Sequence, residues 1–243
     1  MMTHGHTRQE IEARLEKPPE QSYLRDWVYG GVDGAVTTFA VVSGVVGAEL
    51  ATRVILILGA ANLFADGFSM AAANFLGTKA EQDEYAFYKA YEEKQVERVP
   101  ADEREEVRVI FRRKGFHGAH LDRIVEQITS DRKLWVDTMM REEYGLAASI
   151  RSPLKAAVNT FIAFFVCGLV SLLPYFFKTR QAFLLACLLT GVVFFLIGSL
   201  KSRWSIQQWW RSGLVTLGVG SVAASLAYLV GYFFHLYSVG PSF

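Results

Sequence analysis

The sequence predicts an all-α membrane protein, with five transmembrane helices and a cytoplasmic helical insert between helices two and three. Two observations predict it. Apolar residues make up 51% of the 243 residues, and they gather into five blocks, 28–48, 54–76, 154–177, 182–200 and 213–237, each long enough to cross a bilayer as a helix. In hydrocarbon the backbone must satisfy its own hydrogen bonds, which a helix does within one segment. The second observation is a segregation hidden by the net charge of +1: of 24 acids, 16 fall within 77–150, and none follows Glu143. Residues 151–243 carry only basic charges, Arg151, Lys155, Lys178, Arg180, Lys201, Arg203 and Arg211.

The chain therefore divides into a polar segment 1–25, membrane helices one and two in 26–76, the insert 77–150, and membrane helices three to five in 151–243. The first segment is mixed in charge and has no secretory signal, and Pro18 and Pro19 interrupt any helix before the first span. His4 and His6 near its start promise only accidental metal affinity.

Membrane helix one contains "DWVYGGVDGAVTTFAVVSGVVGAEL", with Asp33 a few residues inside the apolar run. A carboxylate there either caps the helix at the interface or serves a cavity, a relay or a buried partner. Gly30 and Gly34 form a GxxxG, and Ala40, Gly44 and Ala48 repeat the spacing, so this helix is able to pack tightly against a partner while presenting Asp33 to an internal cavity. Helix two carries Asn62, Asp66, Met70 and Asn74 at four-residue steps, which predicts one stripe forming the wall of a cation path. Helices three to five hold no acid, so a carboxylate-lined route is built from the first two. Cys167 and Cys187 lie inside spans without CxxC spacing and read as small packing residues. His235, near the end of the last span, reads as interfacial.

No breaker closes the second span, so its helix is expected to run through "TKAEQDEYAFYKAYEEKQVER" and stop at Pro100. Asp102 is the expected cap of a second insert helix, "EREEVRVIFRRK", ending at Gly115. A third follows in "AHLDRIVEQI", and Ser130 or Asp131 starts a fourth, "RKLWVDTMMREEY", stopped by Gly145. Glu103 and Glu106 share a helix face, and Met139 and Met140 stand where either sulfur reaches the Glu143 carboxylate. Oxygens with a thioether suit a borderline divalent ion such as Fe²⁺, whereas oxygens alone suit Mg²⁺ or Ca²⁺. The competing reading is a solvated face on which these acids pair with Lys89, Lys94, Arg104 and Arg108. His117 and His120 flank glycines and read as loop or surface residues. Short-loop lysines and arginines place the amino terminus, the insert and the Lys201–Arg211 region inside, and the uncharged tail outside.

"GGVDGAVTTFAVVSGVVGA", then "ADGFSMAAANFLGTKAE", then an acidic insert ending "WVDTMMREEYGL", resembles the vacuolar iron transporter family of plants, yeast and bacteria over nearly the whole chain from Arg25. The resemblance implies a homodimer, paired through its first membrane helices, that exports Fe²⁺, and often Mn²⁺ or related metals, from the cytosol in exchange for protons. It implies Asp33 and Met70 as the ion pathway, and Glu92, Glu103, Glu106, Met139 or Met140, and Glu143 as metal ligands of the insert. Two departures stand out. Gln95 occupies the place of a second glutamate after Glu92, with Glu93 or Glu97 as substitutes, and Asn74 stands where the family often has a glutamate four residues after the methionine. Asp66 is the candidate replacement for the latter.

The expected partners are thus a second copy, the lipid bilayer, divalent ions and protons, with no nucleic acid. No permanently bound cofactor is expected, and Fe²⁺, Mn²⁺, Co²⁺ and Zn²⁺ all remain open as cargo. The expected membrane is a bacterial plasma membrane, with a vacuolar one as alternative. A membrane-tethered metal buffer or sensor is the second reading. A di-iron oxidase ranks last, since its Glu-x-x-His pairs are missing.

Overall fold

A computed structural model describes residues 7–16, 22–146, 151–202 and 207–239. Among them the structure is helical without a strand: α1 (Arg8–Glu16), α2 (Leu24–Gly47), α3 (Thr52–Arg98), α4 (Pro100–Arg113), α5 (Gly118–Ser130), α6 (Arg132–Glu142), α7 (Pro153–Phe176), α8 (Ala182–Lys201) and α9 (Trp209–Val239). Five of these, α2, α3, α7, α8 and α9, are long and apolar enough to cross a membrane. They fall on the five blocks expected, with α2 and α9 starting about a turn earlier. His4, His6, Pro18, Pro19 and Arg203 lie outside the described residues.

The helices sort into two compact units, Ser22–Leu76 with Ser152–Phe243, and Met1–Gln21 with Gly77–Arg151. The long α3 contributes residues to both. Its 47 residues are more than twice the roughly 20 a span requires. It continues because nothing between Thr52 and Arg98 is a proline, and it ends because Val99 precedes Pro100 and is pushed out of the helical region, to φ −131 and ψ 52.

In the membrane unit α2 is the innermost span. Some 56% of its apolar window is buried, against 11% for α9, and it packs on α7, α8 and α9. Glycine explains the contact with α7. A Cβ on Gly34 would stand 2.2 Å from the Phe164 carbonyl oxygen, and one on Gly30 would stand 2.3 Å from that of Thr160. The GxxxG face expected to meet a partner is thus already occupied by a helix of the same chain. Phe39, Val42, Val45, Leu63, Phe164 and Leu172 fill the core beneath it, and Ser171 and Thr190 hydrogen-bond at 2.9 Å between α7 and α8. Leu184, Leu188, Val192 and Leu196 of α8, like Val215, Val222, Leu226 and Leu229 of α9, are exposed. Such faces suit hydrocarbon rather than water.

The second unit is built on apolar stripes at helical spacing. Leu121, Val125 and Ile128 of α5, Trp135, Val136, Met139 and Met140 of α6, Val107 of α4 and Val96 of α3 form one core. Two starts differ in detail from expectation. Pro100 opens α4 from the first helical position, where its missing N–H loses nothing. Asp102 is therefore in the first turn instead of at the cap. For α6 the cap is Asp131, whose carboxylate accepts from Lys133 N at 2.8 Å and Leu134 N at 3.1 Å.

Candidate ion pathway and carboxylate cluster

Asp33 is half-buried in α2. Its side chain lines a cleft of about 440 Å³ together with Met70 of α3, Val32 and Val36 of α2, Ile197, Gly198 and Lys201 of α8, and Val215, Thr216 and Val219 of α9. The cleft joins one carboxylate and one thioether, an oxygen and a soft sulfur, in a largely apolar wall that also carries Lys201 and the Tyr29 and Thr216 hydroxyls. That donor set attracts a borderline divalent cation that sheds part of its water. The carboxylate comes from α2 and the thioether from α3, while α8 and α9 supply much of the rest.

The stripe of four residues on α3 does not stay together. Steps of four overshoot the 3.6-residue turn by about 40° each, so Asn74 lies roughly 120° round from Asn62. Asn62 Oδ1 accepts from Thr38 Oγ1 at 2.9 Å, and its amide donates to Asp66, which is exposed on the surface of the single chain. Met70 lines the cleft. Asn74 instead donates to Asp26 Oδ1 at 2.8 Å and to Thr160 Oγ1 at 2.7 Å, sealing the junction of α2, α3 and α7.

Asp26 is the residue sequence reasoning missed. It is 1% exposed, and a signal for its burial was present. Asp26, Gly30 and Gly34 recur at four-residue steps, so the carboxylate begins the same close-packed face that meets α7.

In the other unit, Glu92 and Glu103 are 1% and 5% exposed. Their helical positions explain this, because Glu92 lies four residues before the core residue Val96 and Glu103 four before Val107. Tyr144 Oη donates to Glu92 Oε2 at 3.4 Å, while Glu92 Oε1 and Glu103 Oε2 are buried without a hydrogen-bond partner. Burial, the Glu92 carboxylate and then Glu106 push the Glu103 carboxyl up to about 8. Burial also raises Glu92 and Glu143, aided by the charges of neighbouring glutamates, among them Glu106. Glu106 and Glu143 are themselves exposed.

Ion pairing divides the acids in two. Glu105 pairs with Arg108 and Arg112, Glu97 with Arg132, Glu142 with Lys114 and Asp83 with Lys79. Glu92, Glu103, Glu106 and Glu143 pair with no cation among the described residues. Of the cations expected to pair on a solvated face, Arg108 does so, with Glu105 and Asp122, while Glu106 and Glu143 are exposed and Glu92 and Glu103 are buried. Met139 and Met140, 0% and 1% exposed, are core residues. Among the described residues, no three His, Cys, Asp or Glu side chains are placed to hold a metal ion as they stand. His117 and His120 are exposed, and His235 Nε2 lies 3.6 Å from Glu49.

The raised Glu103 carboxyl has a stability consequence. Folding protects its proton between the ordinary value of 4.5 and about 8, so the metal-free unit is most stable at low pH in that window and loses stability as pH rises through it. Glu103→Gln is expected to remove this slope, and hydrogen exchange across α4 in the purified full chain between pH 5 and 8 checks it. Equal protection at both ends in the unaltered protein contradicts it.

A membrane unit of five spans with a carboxylate–thioether cleft, in one chain with a helical unit that carries a segregated glutamate cluster, defines a class of integral membrane proteins that handle ions. The sequence profile of the VIT family matches residues 24–232, and the chain belongs to that family, whose members are transporters and not enzymes. The chain is 33% identical over 221 residues to a vacuolar iron transporter of Toxoplasma gondii, covering 86% of this chain and 73% of the relative. It is 30% identical over 208 residues to vacuolar iron transporter 1 of Eucalyptus grandis, covering 84% of each. With vacuolar iron transporter 1 of Arabidopsis thaliana it shares 28% over 208 residues, 84% of this chain and 83% of the relative.

Proposed function

We propose that the chain moves Fe²⁺, and Mn²⁺ as a second cargo, out of the cytosol in exchange for protons. The observation that carries this reading is the meeting of Asp33 and Met70 in one cleft between membrane helices. The names of the relatives support iron as cargo. Glu92, Glu103, Glu106 and Glu143 collect the ion on the cytoplasmic side, Glu106 and Glu143 turning inward toward the buried pair. Met139 and Met140 bring thioether sulfur to the edge of this cluster. Asp33 and Met70 then take the partly dehydrated ion, and protons from the far side displace it. Protonated carboxylates bind metal weakly, which gives the exchange its physical basis.

A homodimer fits the exposed Asp66. On the lipid-facing side of a single chain that carboxylate would be costly, whereas a second subunit beside α2 and α3 covers it and Asn62. In this arrangement Asp66 supplies the carboxylate absent at Asn74. The names of the relatives favour a vacuolar compartment as the destination. In a bacterial plasma membrane the exterior takes its place.

The test is Fe²⁺ flux into proteoliposomes with and without an imposed pH gradient, for the unaltered protein and for a Glu103/Glu106/Glu143 triple alanine. Gradient-dependent flux that is weakened in the triple variant is expected. Stoichiometric metal binding without any flux would overturn transport in favour of a tethered metal buffer or sensor.

A further inference from the structure

Besides the Asp33 carboxyl, the lining of the cleft of the proposed pathway contains one basic side chain. Lys201, the last residue of α8, is exposed at its edge. It has neither an ion-pair nor a hydrogen-bond partner among the described residues. Its placement is built into the packing. A Cβ on Gly198 would stand 2.6 Å from the Ser212 carbonyl oxygen and 2.6 Å from Thr216 Oγ1, so α8 meets α9 at backbone distance there. Lys201 follows Gly198 by three residues and so leaves the same face of α8. Ile197, one turn earlier, touches the site of Gly31 on α2. Lys201, on a helix held at close range against α9 and α2, thus lines the same cleft as the Asp33 carboxyl.

A cation carrier has to return without its cargo, and an ionised carboxylate left bare inside a membrane is costly. We propose that Lys201 is a tethered counter-ion of the pathway, its ammonium taking the place beside Asp33 that the departing metal leaves. The inference rests on Asp33 lining the ion route. Lys201 suits the role because a compact, strongly hydrated charge on a long stem moves between water and cleft without moving the backbone. Repulsion between the ammonium and an incoming divalent ion also weakens metal binding and speeds release. Tyr29 and Thr216 line the cleft as hydroxyl groups.

The experiment compares Fe²⁺ uptake into proteoliposomes by the unaltered protein, Lys201→Gln, Lys201→Met, Lys201→Arg and Asp33→Ala, each first shown monodisperse by size exclusion. Without the charge, both KM and kcat are expected to fall several-fold in the glutamine and methionine variants, with arginine restoring both. Unchanged KM and kcat in the two neutral variants, with Asp33→Ala inactive, overturn the counter-ion and leave the pathway standing. Equal impairment of the arginine and neutral variants overturns it too, since charge would then not be what matters. Uptake by Asp33→Ala at the unaltered rate defeats the pathway itself, and the counter-ion with it.

Discussion

Asp33→Ala protein in proteoliposomes is expected to take up Fe²⁺ no faster than empty vesicles, while keeping its fold and any metal affinity of the Glu92, Glu103, Glu106 and Glu143 cluster. The expectation follows from how few donors the cleft has. With Asp33 removed, the Met70 thioether and the Tyr29 and Thr216 hydroxyls remain as donors, and none of them offers a charge to offset the lost water. Asp66→Asn is the internal comparison. Asp66 is exposed and bonded to Asn62 outside the residues that line the cleft, so its loss is expected to weaken uptake without abolishing it. Measured uptake by Asp33→Ala above that of Asp66→Asn would move the pathway to the other carboxylate.

Gly34→Leu is expected to yield no folded protein. The added Cβ alone would stand 2.2 Å from the Phe164 carbonyl oxygen and 2.7 Å from its Cα. Those atoms are backbone, so relief requires α7 to move as a whole. Overpacking a core usually costs about 1–3 kcal/mol when side chains give way, and here none is free to do so. Gly44→Ala is the control, since its nearest neighbour would be 3.5 Å away. Recovery on fluorescence-detected size exclusion should be near that of the unaltered protein for Gly44→Ala and at background for Gly34→Leu. A folded Gly34→Leu would mean that α2 and α7 are not in contact as described.

The spans were legible because hydropathy and length together leave few other solutions for such segments. The break at Pro100 and the cap at Asp131 were legible because they depend on local backbone chemistry. What the sequence did not yield depended on which face of a helix is covered. The stripe from Asn62 to Asn74 was read at four-residue spacing, and the accumulated rotation placed Asn74 against Asp26 rather than in the cleft. Glu92 and Glu103 could have been told from their solvated neighbours, since each sits four residues before a buried valine. The glycines of α2 announced close helix contacts but not their partners, which are α7 at Gly30 and Gly34 and α9 at Gly44 and Gly47. Lys201 enters the cleft only through the packing of α8 on α9, to which its sequence neighbours gave no pointer.

The buried Glu103 carboxyl, held up to about 8, still carries its proton at neutral pH. Under the collecting role proposed for this cluster, a divalent ion settling there would eject that proton into the compartment from which the ion comes. Loading would then release acid on the collecting side, and the ion concentration at which it begins would climb as that compartment acidifies.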